Sequence, residues 1–516
     1  MFIFSLHLNN FKLQKSKENN LDKYIMTLSK LKKLKNFHLE KIHSTKNQFN
    51  IFSIIYKVFD TCFIFESLSG PEELTETSII GFDPPYTILC NSKNFKVLDK
   101  KQKIVKSYKV TEPLSQLRSI IPNNIQTNSN YRYIGGAVGY ISYEAIRFWE
   151  HLPKPKRKIL NFPLMEFGIY TDGLLYDHKQ NQPYYFSIGK ESRVEEITKI
   201  IDNNIDNLSN TNPYYNQYKK TKLSRKEKIT CSIPQKNLTQ KEFSKMIKKA
   251  QKYIYEGDIF QVVLSKNFKF NIEGNLLQIY SSLRDINPSP YMYLFKINNR
   301  CIIGSSPEML LRVSGKVIET FPIAGTRPIG KDSQDTERLA KNLLNDEKEL
   351  AEHTMLVDLA RNDVGRVAEP GTVRVKSLMA IKRFSHVQHI VSHVVGCLSN
   401  KSDIYDALKA LFPAGTVSGA PKVRAMEIIN ELEKERREPY AGALGYFSFN
   451  GSGDFAITIR SIFINGKKGF IQTGAGIVMD SIPSNEWKET EKKAEAMILV
   501  LKNTKIPIHY KKKNER

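Results

Sequence analysis

The sequence predicts an α+β protein with a sheet-rich first half, and the spacing of its apolar residues is the main reason. In the first half, β-type runs at 51–56, 61–65 and 134–140 alternate with turn residues, which is typical of strands. In the second half, apolar stripes at helical spacing alternate with further β-type runs. We therefore expect a sheet-rich region followed by a region of mixed helix and strand.

Three helices of the second half have recognisable starts. Thr239 is followed three residues later by Glu242, which is the spacing of a capping box. Asp346 and Glu349 open a second helix with the same spacing, and a third helix opens near Ser484. These starts are predictable because helix capping depends on neighbouring residues.

The composition along the chain divides it into five stretches. We expect an N-terminal extension of which about the first 25 residues are dispensable, with Met26 as a downstream start. A linker is expected where Asn, Ser, Thr, Lys and Pro crowd together without an apolar period. The stretches are the extension 1–47, the sheet-rich region 48–202, the linker 203–238, the mixed region 239–503 and the basic tail 504–516.

The overall composition is that of a globular protein with a sizeable core. Apolar residues make up 41% of the chain and aromatic residues 10%, which excludes wholesale disorder. No apolar run approaches the roughly 20 residues of a membrane span, and no signal-peptide pattern opens the chain. Five widely spaced cysteines without a C-x-x-C pair fit a reducing compartment. We expect a cytoplasmic protein that does not bind a membrane.

The net charge is strongly positive. The chain has 78 Lys and Arg against 53 Asp and Glu, which gives +25. Clustered basic charge attracts polyanions, but these lysines are spread over the whole chain, and dense basic runs occur only near its two ends. We expect small anionic ligands and no nucleic-acid partner, with a polyanion site as the less favoured alternative.

Two glycine-containing segments that follow β-type runs can hold an anion. Residues 322–328 and 472–476 are predicted loops that expose backbone N–H groups and let a ligand approach closely. Arg460 lies on a further β-type run, where a guanidinium can clamp a carboxylate. Glycine turns and solvent-facing arginines are common, however, and these residues alone favour that plainer interpretation.

Two carboxylates and one histidine are further candidates. Glu352 and Glu489 lie on separate predicted helices and suit Mg²⁺, which takes one or two protein carboxylates. Spacing alone favours surface charge pairs instead, because Lys493 follows Glu489 at i,i+4. His389 opens a β-type run and is either a general base or a core histidine with its hydrogen bonds satisfied.

A series of short motifs runs in order through the second half. They are Gly257–Gln261, Asn287–Met292, Ser305–Glu308, Pro322–Pro328, Glu352 to Asp363, Gly415–Lys422, Ile459–Ser461 and Gly474–Gly476. This series resembles the chorismate-utilising enzymes, and among them the large subunits of the anthranilate synthases. The resemblance covers about residues 48–503 and is highly specific because so many motifs keep their order.

The resemblance implies a fold and a set of ligand contacts. The fold is two large antiparallel sheets packed face to face with helices outside, and its cleft holds chorismate and Mg²⁺. Glu352 and Glu489 are then the metal ligands. The implied chorismate contacts are Gly325, Thr326, Tyr440, Arg460, Gly474, Ala475 and Gly476.

The implied reaction needs an acid and a base. Ammonia adds to the ring while the ring hydroxyl leaves, and Glu308 is the candidate acid because a buried glutamate can keep its proton. Pyruvate is then eliminated, and His389 is the candidate base for the proton on the amine-bearing carbon. The products are anthranilate and pyruvate, in the first committed step of tryptophan biosynthesis.

Two positions separate this reaction from those of sister enzymes. Isochorismate and salicylate synthases carry a water-activating lysine where this chain has Gln261. Aminodeoxychorismate synthases commonly carry a lysine where this chain has Ala324. Aminodeoxychorismate synthase and isochorismate synthase therefore remain only as the alternative activities.

The resemblance also implies a regulator and a partner. A feedback site for L-tryptophan is expected at Ser67, Pro290, Tyr291 and Met292. None of the five cysteines lies in the glycine-flanked turn of a class I glutaminase. Glutamine use is therefore expected to need a separate glutamine amidotransferase subunit, in a heterotetramer.

Overall fold

The computed structural model describes residues 31–69, 76–127, 129–189, 192–202, 229–384 and 387–503. Two large antiparallel sheets, of thirteen and twelve strands, dominate this part of the chain. Residues 1–30, residues 203–228 of the predicted linker and the predicted tail 504–516 lie outside the described residues. The expectations for those stretches therefore stay predictions.

The first sheet contains strands from both halves of the chain. They are β1 (Phe37–Lys41), β2 (Cys62–Glu66), β3 (Thr77–Phe82), β9 (Asp172–Asp177), β10 (Gln182–Ile188), β11 (Thr230–Cys231), β12 (Gln235–Lys236), β13 (Gln261–Glu273), β14 (Tyr291–Ile297), β15 (Arg300–Ser306), β21 (Gly419–Ala420), β24 (Ser461–Asn465) and β25 (Lys468–Ile477). Their order is β1-β10-β9-β3-β2-β14-β15-β24-β25-β13-β11, and β12 and β21 also pair with β13.

The second sheet also contains strands from both halves of the chain. It contains β4 (Tyr86–Asn91), β5 (Asn94–Asp99), β6 (Ile104–Lys109), β7 (Gly136–Ile141), β8 (Met165–Tyr170), β16 (Met309–Ser314), β17 (Val317–Thr320), β18 (Ile323–Pro328), β19 (Arg374–Arg383), β20 (Val387–Cys397), β22 (Ala443–Ser448) and β23 (Gly453–Ile457). The order is β18-β20-β17-β16-β23-β22-β7-β8-β4-β5-β6, with β19 paired to β20. The stretches 48–202 and 239–503 therefore supply strands to both sheets.

Helices lie around the two sheets. They are α1 (Gln48–Val58), α2 (Pro113–Ile120), α3 (Val194–Asp202), α4 (Gln240–Tyr255), α5 (Leu277–Ile286), α6 (Ser333–Leu344), α7 (Glu347–Gly365), α8 (Ile404–Leu411), α9 (Gly415–Ser418), α10 (Lys422–Leu432) and α11 (Pro483–Asn503), with a 3₁₀ helix at Tyr143–Phe148. Among the described helices, none combines the length and the apolar character that crossing a membrane requires.

The two sheets pack face to face, as the sequence predicts. Buried rings meet between them: Phe63 of β2 lies 4.9 Å from Tyr170 of β8, and Tyr140 of β7 lies 6.1 Å from Phe295 of β14, measured between ring centroids. A second apolar cluster joins the other face of the first sheet to α1, α3, α5 and α11. The predicted α+β architecture, with helices outside, is therefore confirmed.

The predicted helix starts are confirmed, whereas one predicted strand is wrong. The capping box of Thr239 and Glu242 opens α4, and Asp346 accepts a hydrogen bond from Glu349 N at the start of α7. Residues 51–56 are helical, however, as part of α1. Asn47 caps this helix, and the buried positions 51, 52, 55 and 56 have helical spacing, so packing overrides the β propensity of the isoleucines.

Two predicted loops are strands. Residues 323–328 form β18, which has an irregular register with β20 between Ala324 and Arg327, and Gly325 has φ +64° there. Residues 472–476 lie inside β25, paired with β13. The glycines therefore belong to strands, and Gly325 uses its left-handed φ at the irregularity of β18.

Candidate active site

The glycine segment of β25 joins the two candidate metal ligands. On one side, Gln261 Nε2 donates to Glu352 Oε1 over 2.9 Å, and a Cβ placed on Gly476 would lie 2.5 Å from that nitrogen. On the other side, Lys493 Nζ donates to the carbonyl oxygen of Gly474 over 3.0 Å and pairs with Glu489 Oε1 at 2.6 Å. The structure therefore places α7 and α11 at the same segment, as a metal and anion site requires.

Strand β18 is tied to the start of α7. Arg327 pairs with Asp346 at 2.8 Å and with Glu349 at 3.3 Å. Because Asp346 is the N-cap of α7, this arginine fixes the helix that carries Glu352 relative to the strand that carries Gly325.

His389 lies on β20 beside the bulged part of β18. Its Nδ1 is 2.8 Å from the carbonyl oxygen of Gly325 and 3.1 Å from Thr326 Oγ1. Burial lowers the pKa of His389, the hydrogen bond to Gly325 opposes this, and the nearby Arg460 charge lowers it further. The imidazole is therefore neutral at pH 7, and a carbonyl acceptor at Nδ1 leaves the lone pair on Nε2.

Arg460 is not on a strand, which corrects the sequence prediction. It lies between β23 and β24 with φ +51°. Burial lowers its pKa, whereas Tyr440 and Glu489 raise it. Tyr440 is 3% exposed, and burial raises the pKa of its hydroxyl to about 12. The guanidinium therefore lies within electrostatic reach of Tyr440, Glu489 and His389, and its burial excludes a purely solvent-facing arginine.

Glu308 is a buried carboxyl group within electrostatic reach of Lys493. It follows β15, and its backbone N–H donates to Ser306 Oγ over 3.3 Å. Burial raises its pKa to about 8, although the Thr416 hydroxyl and the Lys493 ammonium group oppose that rise. At pH 7 the side chain is therefore a neutral acid with a proton to give.

The carboxylates on α7 and α11 fit a hard divalent cation. Burial raises the pKa of Glu349 and of Glu486, and the second cause is the neighbouring charge of Glu352 and of Glu489, respectively. No group of three or more His, Cys, Asp or Glu side chains in metal-binding geometry occurs among the described residues. Two carboxylates suit Mg²⁺, which completes its shell with water and substrate oxygens.

Comparison with known proteins decides the family. A family model described as chorismate binding enzyme matches residues 60–499. The chain belongs to this family. Its members include anthranilate synthase component 1 of Methanothermobacter thermautotrophicus, which is 44% identical over 477 residues, or 92% of this chain and 96% of that protein.

Further chorismate binding enzymes bear on the fold and on the activity. The crystal structure of anthranilate synthase component I from Streptococcus pneumoniae TIGR4 has a TM-score of 0.69 and 35% identity, covering 82% of this chain and 92% of that chain. Aminodeoxychorismate synthase component 1 of Bacillus subtilis is 38% identical over 426 residues, or 81% of this chain and 88% of that protein.

The predicted regulatory residues of this chorismate binding enzyme line one cavity. A cavity of about 650 Å³ between the two sheets, including open solvent at its mouth, is lined by Ser67, Pro290, Tyr291 and Met292, among others. It lies apart from Glu352 and Glu489, and neither lines it. The hydroxyl oxygen of Ser67 is buried and has no hydrogen-bond partner among the described residues.

Sequence reasoning missed several functional candidates. Lys493 appeared there only as a charge partner of Glu489, yet it also bonds Gly474 and acts on Glu308. In the cavity between the sheets, Arg312 Nε and Tyr291 Oη both donate to Asp454 over 2.9 Å. No local pattern marks these polar residues, because they lie on separate strands far apart in the chain.

Proposed function

We propose that this chorismate binding enzyme converts chorismate and ammonia to anthranilate and pyruvate with the help of Mg²⁺. One observation carries the proposal. A neutral carboxylic acid, Glu308, and a neutral imidazole, His389, belong to the same site as Arg460 and the candidate metal ligands Glu352 and Glu489. The name of the relative that aligns with 92% of this chain supports the same activity.

The binding groups suit a dianionic substrate. Tyr440 and Arg460 can hold one carboxylate by a hydrogen bond and a charge-assisted contact. Gly474, Ala475 and Gly476 can bring backbone close to the other end of the molecule, because none of the three carries a side chain larger than a methyl group. Gly325 and Thr326 complete the wall next to His389.

Glu352 and Glu489 would hold Mg²⁺ through carboxylate oxygens. When bound, the cation supplies Lewis-acid stabilisation of negative charge on the ring carboxylate. Glu489 pairs with Lys493 at 2.6 Å, so Lys493 is the residue positioned to orient this carboxylate.

In the first half-reaction Glu308 is the acid. Its pKa of about 8 keeps it protonated at pH 7, so it can give a proton to the ring hydroxyl, which leaves as water while ammonia adds to the ring. The ammonium group formed on the ring then loses one proton, which restores the Glu308 acid and leaves a neutral amine. A neutral acid near the pH of operation avoids the cost of an ionised carboxylate beside a leaving oxygen.

In the second half-reaction His389 is the base. Its Nδ1–H is held by Gly325, so Nε2 carries the lone pair that removes the proton from the amine-bearing carbon. Loss of that proton aromatises the ring and breaks the bond to the enolpyruvyl oxygen. The leaving group gains one proton on its CH₂ carbon to become pyruvate, which balances the proton taken by His389. Arg460, which faces His389, opposes premature protonation of the imidazole.

The alternative activities need groups that this site lacks. Gln261 is an amide that donates to Glu352, and it cannot act as the lysine base that activates water in isochorismate synthases. Ala324 precedes Gly325 without an amine that could form an adduct. Aminodeoxychorismate synthase stays the second candidate because one relative of 38% identity carries that name.

Regulation, partner and location complete the proposal. The cavity at Ser67, Pro290, Tyr291 and Met292 is the proposed site of feedback inhibition by L-tryptophan, since it combines aromatic walls with the charged pair Arg312 and Asp454. A separate glutamine amidotransferase subunit is the proposed ammonia donor, in a heterotetramer. The proposed location is the cytoplasm.

The test is to identify the product. The purified chain is incubated with chorismate, MgCl₂ and ammonium chloride, and the products are separated by chromatography and identified by mass. Anthranilate and pyruvate in equal amounts would support the proposal. Aminodeoxychorismate or isochorismate would support the alternative, and unreacted chorismate would contradict both.

A further inference from the structure

A row of charged and polar side chains crosses the second sheet, starting at the cavity between the sheets. The strand register places Asp454 of β23 opposite Arg312 of β16, and Arg312 opposite Glu319 of β17. The fourth member, His393, lies on β20, which pairs with β17. We call Asp454, Arg312, Glu319 and His393 the polar row. Its four strands are consecutive in the sheet.

Each member of the polar row contacts the next. Arg312 Nε donates to Asp454 Oδ2 over 2.9 Å, and Arg312 Nη1 lies 3.5 Å from Glu319 Oε1. His393 Nε2 donates to Glu319 Oε2 over 2.9 Å. Burial favours the neutral form of Glu319, but the hydrogen bond from His393 and the charge of Arg312 outweigh it and lower its pKa. Glu319 is therefore an ionised carboxylate that both neighbours contact.

Stability alone does not account for the polar row. Its side chains are only between 4% and 19% exposed. Burying charged groups costs free energy that their mutual attraction barely repays, and apolar residues of similar size often stabilise such positions equally well. A row of such residues across four neighbouring strands therefore points to a role beyond holding the sheet together.

One end of the polar row lies in the proposed tryptophan cavity. Asp454 and Arg312 line this cavity, as does Tyr291, which donates to Asp454 Oδ1 over 2.9 Å. Glu319 and His393 do not line it. A free amino acid carries an ammonium group, which can compete with Arg312 for the Asp454 carboxylate.

The other end reaches the strands that hold the proposed base. His393 and His389 lie four residues apart on β20, and so on the same face of that strand. The ring of His393 stacks on Phe321, with the ring centroids 4.1 Å apart. Phe321 lies two residues before β18, in which the carbonyl oxygen of Gly325 holds the His389 ring.

We propose that the polar row couples the tryptophan cavity to the strands around His389, so that tryptophan slows the reaction through these side chains. The inference rests on the proposed function, because it needs the proposed inhibitor and the proposed base. The ammonium group of tryptophan binds Asp454, and Arg312 turns toward Glu319. Their present 3.5 Å is wider than the roughly 2.8 Å of a charge-assisted hydrogen bond, which leaves room for a closer pair. Glu319 then holds His393 less firmly, and the contact of β18 with His389 changes.

The experiment separates tryptophan binding from tryptophan inhibition. Glu319→Gln removes the charge at the centre of the polar row. His393→Phe removes the last hydrogen bond of the row and keeps a ring that can stack on Phe321. Binding is measured by titration calorimetry, and inhibition is measured as the initial rate of anthranilate formation at saturating tryptophan.

Both variants should bind tryptophan and yet escape inhibition. Their Kd for tryptophan should stay within about threefold of the wild-type value, because neither residue lines the cavity. Without tryptophan they should react at the wild-type rate, and at saturating tryptophan they should keep most of that rate. Glu337→Gln is the matched control, because Glu337 pairs with Arg383 of β19, which also contacts β20, and lies outside the polar row. It should be inhibited as fully as the wild-type chain.

Full inhibition of either variant would overturn the coupling, as would loss of inhibition in Glu337→Gln. A loss of tryptophan binding in step with the loss of inhibition would also overturn it, because the row would then only help to bind the ligand. Variants that make little anthranilate without tryptophan would overturn it in favour of a structural role. A wild-type chain that makes anthranilate but binds no tryptophan would overturn the coupling and leave the activity intact, whereas one that makes no anthranilate would overturn the proposed function.

Discussion

The carbonyl oxygen of Gly325 lies 2.8 Å from His389 Nδ1 and thereby assigns the two ring nitrogens. A carbonyl can only accept, so Nδ1 carries the proton and Nε2 carries the lone pair. This contact depends on the left-handed φ of +64° at Gly325, which turns its carbonyl group within β18. One strand irregularity thus orients the proposed base.

The rate should depend on pH as a bell. His389 acts as a base only when it is neutral. Burial holds its pKa below the ordinary 6.5, so activity should fall only as the pH drops through this lowered pKa. Glu308 is active when protonated, so activity falls as the pH rises through about 8. Initial rates should be measured with free ammonia held constant, since ammonium itself titrates. A rate that keeps rising above pH 9 would exclude Glu308 as the acid.

Isosteric variants of the proposed acid and of the proposed base should each remove one limb of the bell-shaped dependence of the rate on pH. Glu308→Gln and His389→Asn should each lower kcat by roughly 10²–10⁴-fold, the usual contribution of general acid or base catalysis. Thermal unfolding of both variants serves as the control for folding. Glu308→Gln with near wild-type kcat would contradict its assigned role.

Removal of either proposed metal ligand should weaken the response to Mg²⁺. Glu352→Gln and Glu489→Gln each remove one negative oxygen ligand, so the Mg²⁺ concentration for half-maximal rate should rise more than about tenfold. The measurement is a titration of initial rate with MgCl₂ at saturating chorismate.

Exposed glutamates on the same helices are the matched controls for that titration. Glu347→Gln on α7 and Glu495→Gln on α11 make the same charge change at exposed positions. If these controls shifted the Mg²⁺ response as much as Glu352→Gln, the effect would be one of net charge, and the assignment of ligands would be wrong.

The sequence predicts the parts of this structure that depend on neighbouring residues. The capping box of Thr239 and Glu242 opens α4 as expected, because both partners lie within one turn. Residues 51–56 are helical although isoleucine favours strands. The helix buries their apolar side chains against the first sheet, and this packing outweighs the local β propensity. Arg460 leaves its predicted strand through a left-handed φ that no local pattern announces.

In the candidate site, too, sequence motifs indicate the residues, whereas the contacts between residues far apart in the chain become visible only in the structure. The family resemblance indicates Glu308, Glu352, His389, Arg460 and Glu489 as candidates. In the structure His389 contacts Gly325 of β18, and Glu352 and Glu489 reach β25 through Gln261 and Lys493. The hydrogen bond that joins Gln261 to Glu352, and the pair of Asp454 with Arg312, link residues 91 and 142 positions apart. Such contacts follow from strand order, which sequence spacing alone does not specify.

A methyl group at Gly476 should disturb the proposed metal site. A Cβ there would lie 2.5 Å from Gln261 Nε2 and 3.7 Å from Glu352 Oε1, so Gly476→Ala must displace the glutamine and break its hydrogen bond. Loss of a buried hydrogen bond to a charged group costs about 1–3 kcal/mol, so kcat/KM should fall about tenfold to a hundredfold.

Gly365→Ala is the matched control for that change. Nothing lies within 4 Å of a Cβ at this helical glycine, so activity should stay at the wild-type level. Equal activity of Gly476→Ala and Gly365→Ala would mean that the contact between Gln261 and Glu352 has no part in the reaction.

Filling the cavity between the sheets should remove inhibition by tryptophan. Ser67→Phe places a ring beside Pro290 and Tyr291, where the free amino acid is proposed to bind, while the catalytic groups are elsewhere. The uninhibited rate should therefore be unchanged, and the tryptophan concentration for half inhibition should rise beyond measurement. Ser67→Ala, which leaves the volume open, should remain inhibited; full inhibition of Ser67→Phe would refute the site.

The central claim is that this site makes anthranilate from chorismate and ammonia. The most direct measurement follows anthranilate fluorescence after chorismate is added to the purified chain with ammonium chloride, in the presence of MgCl₂ and then of EDTA. Fluorescence should rise only when both ammonium and Mg²⁺ are present. Chorismate that disappears without fluorescence, or fluorescence that persists in EDTA, would contradict it.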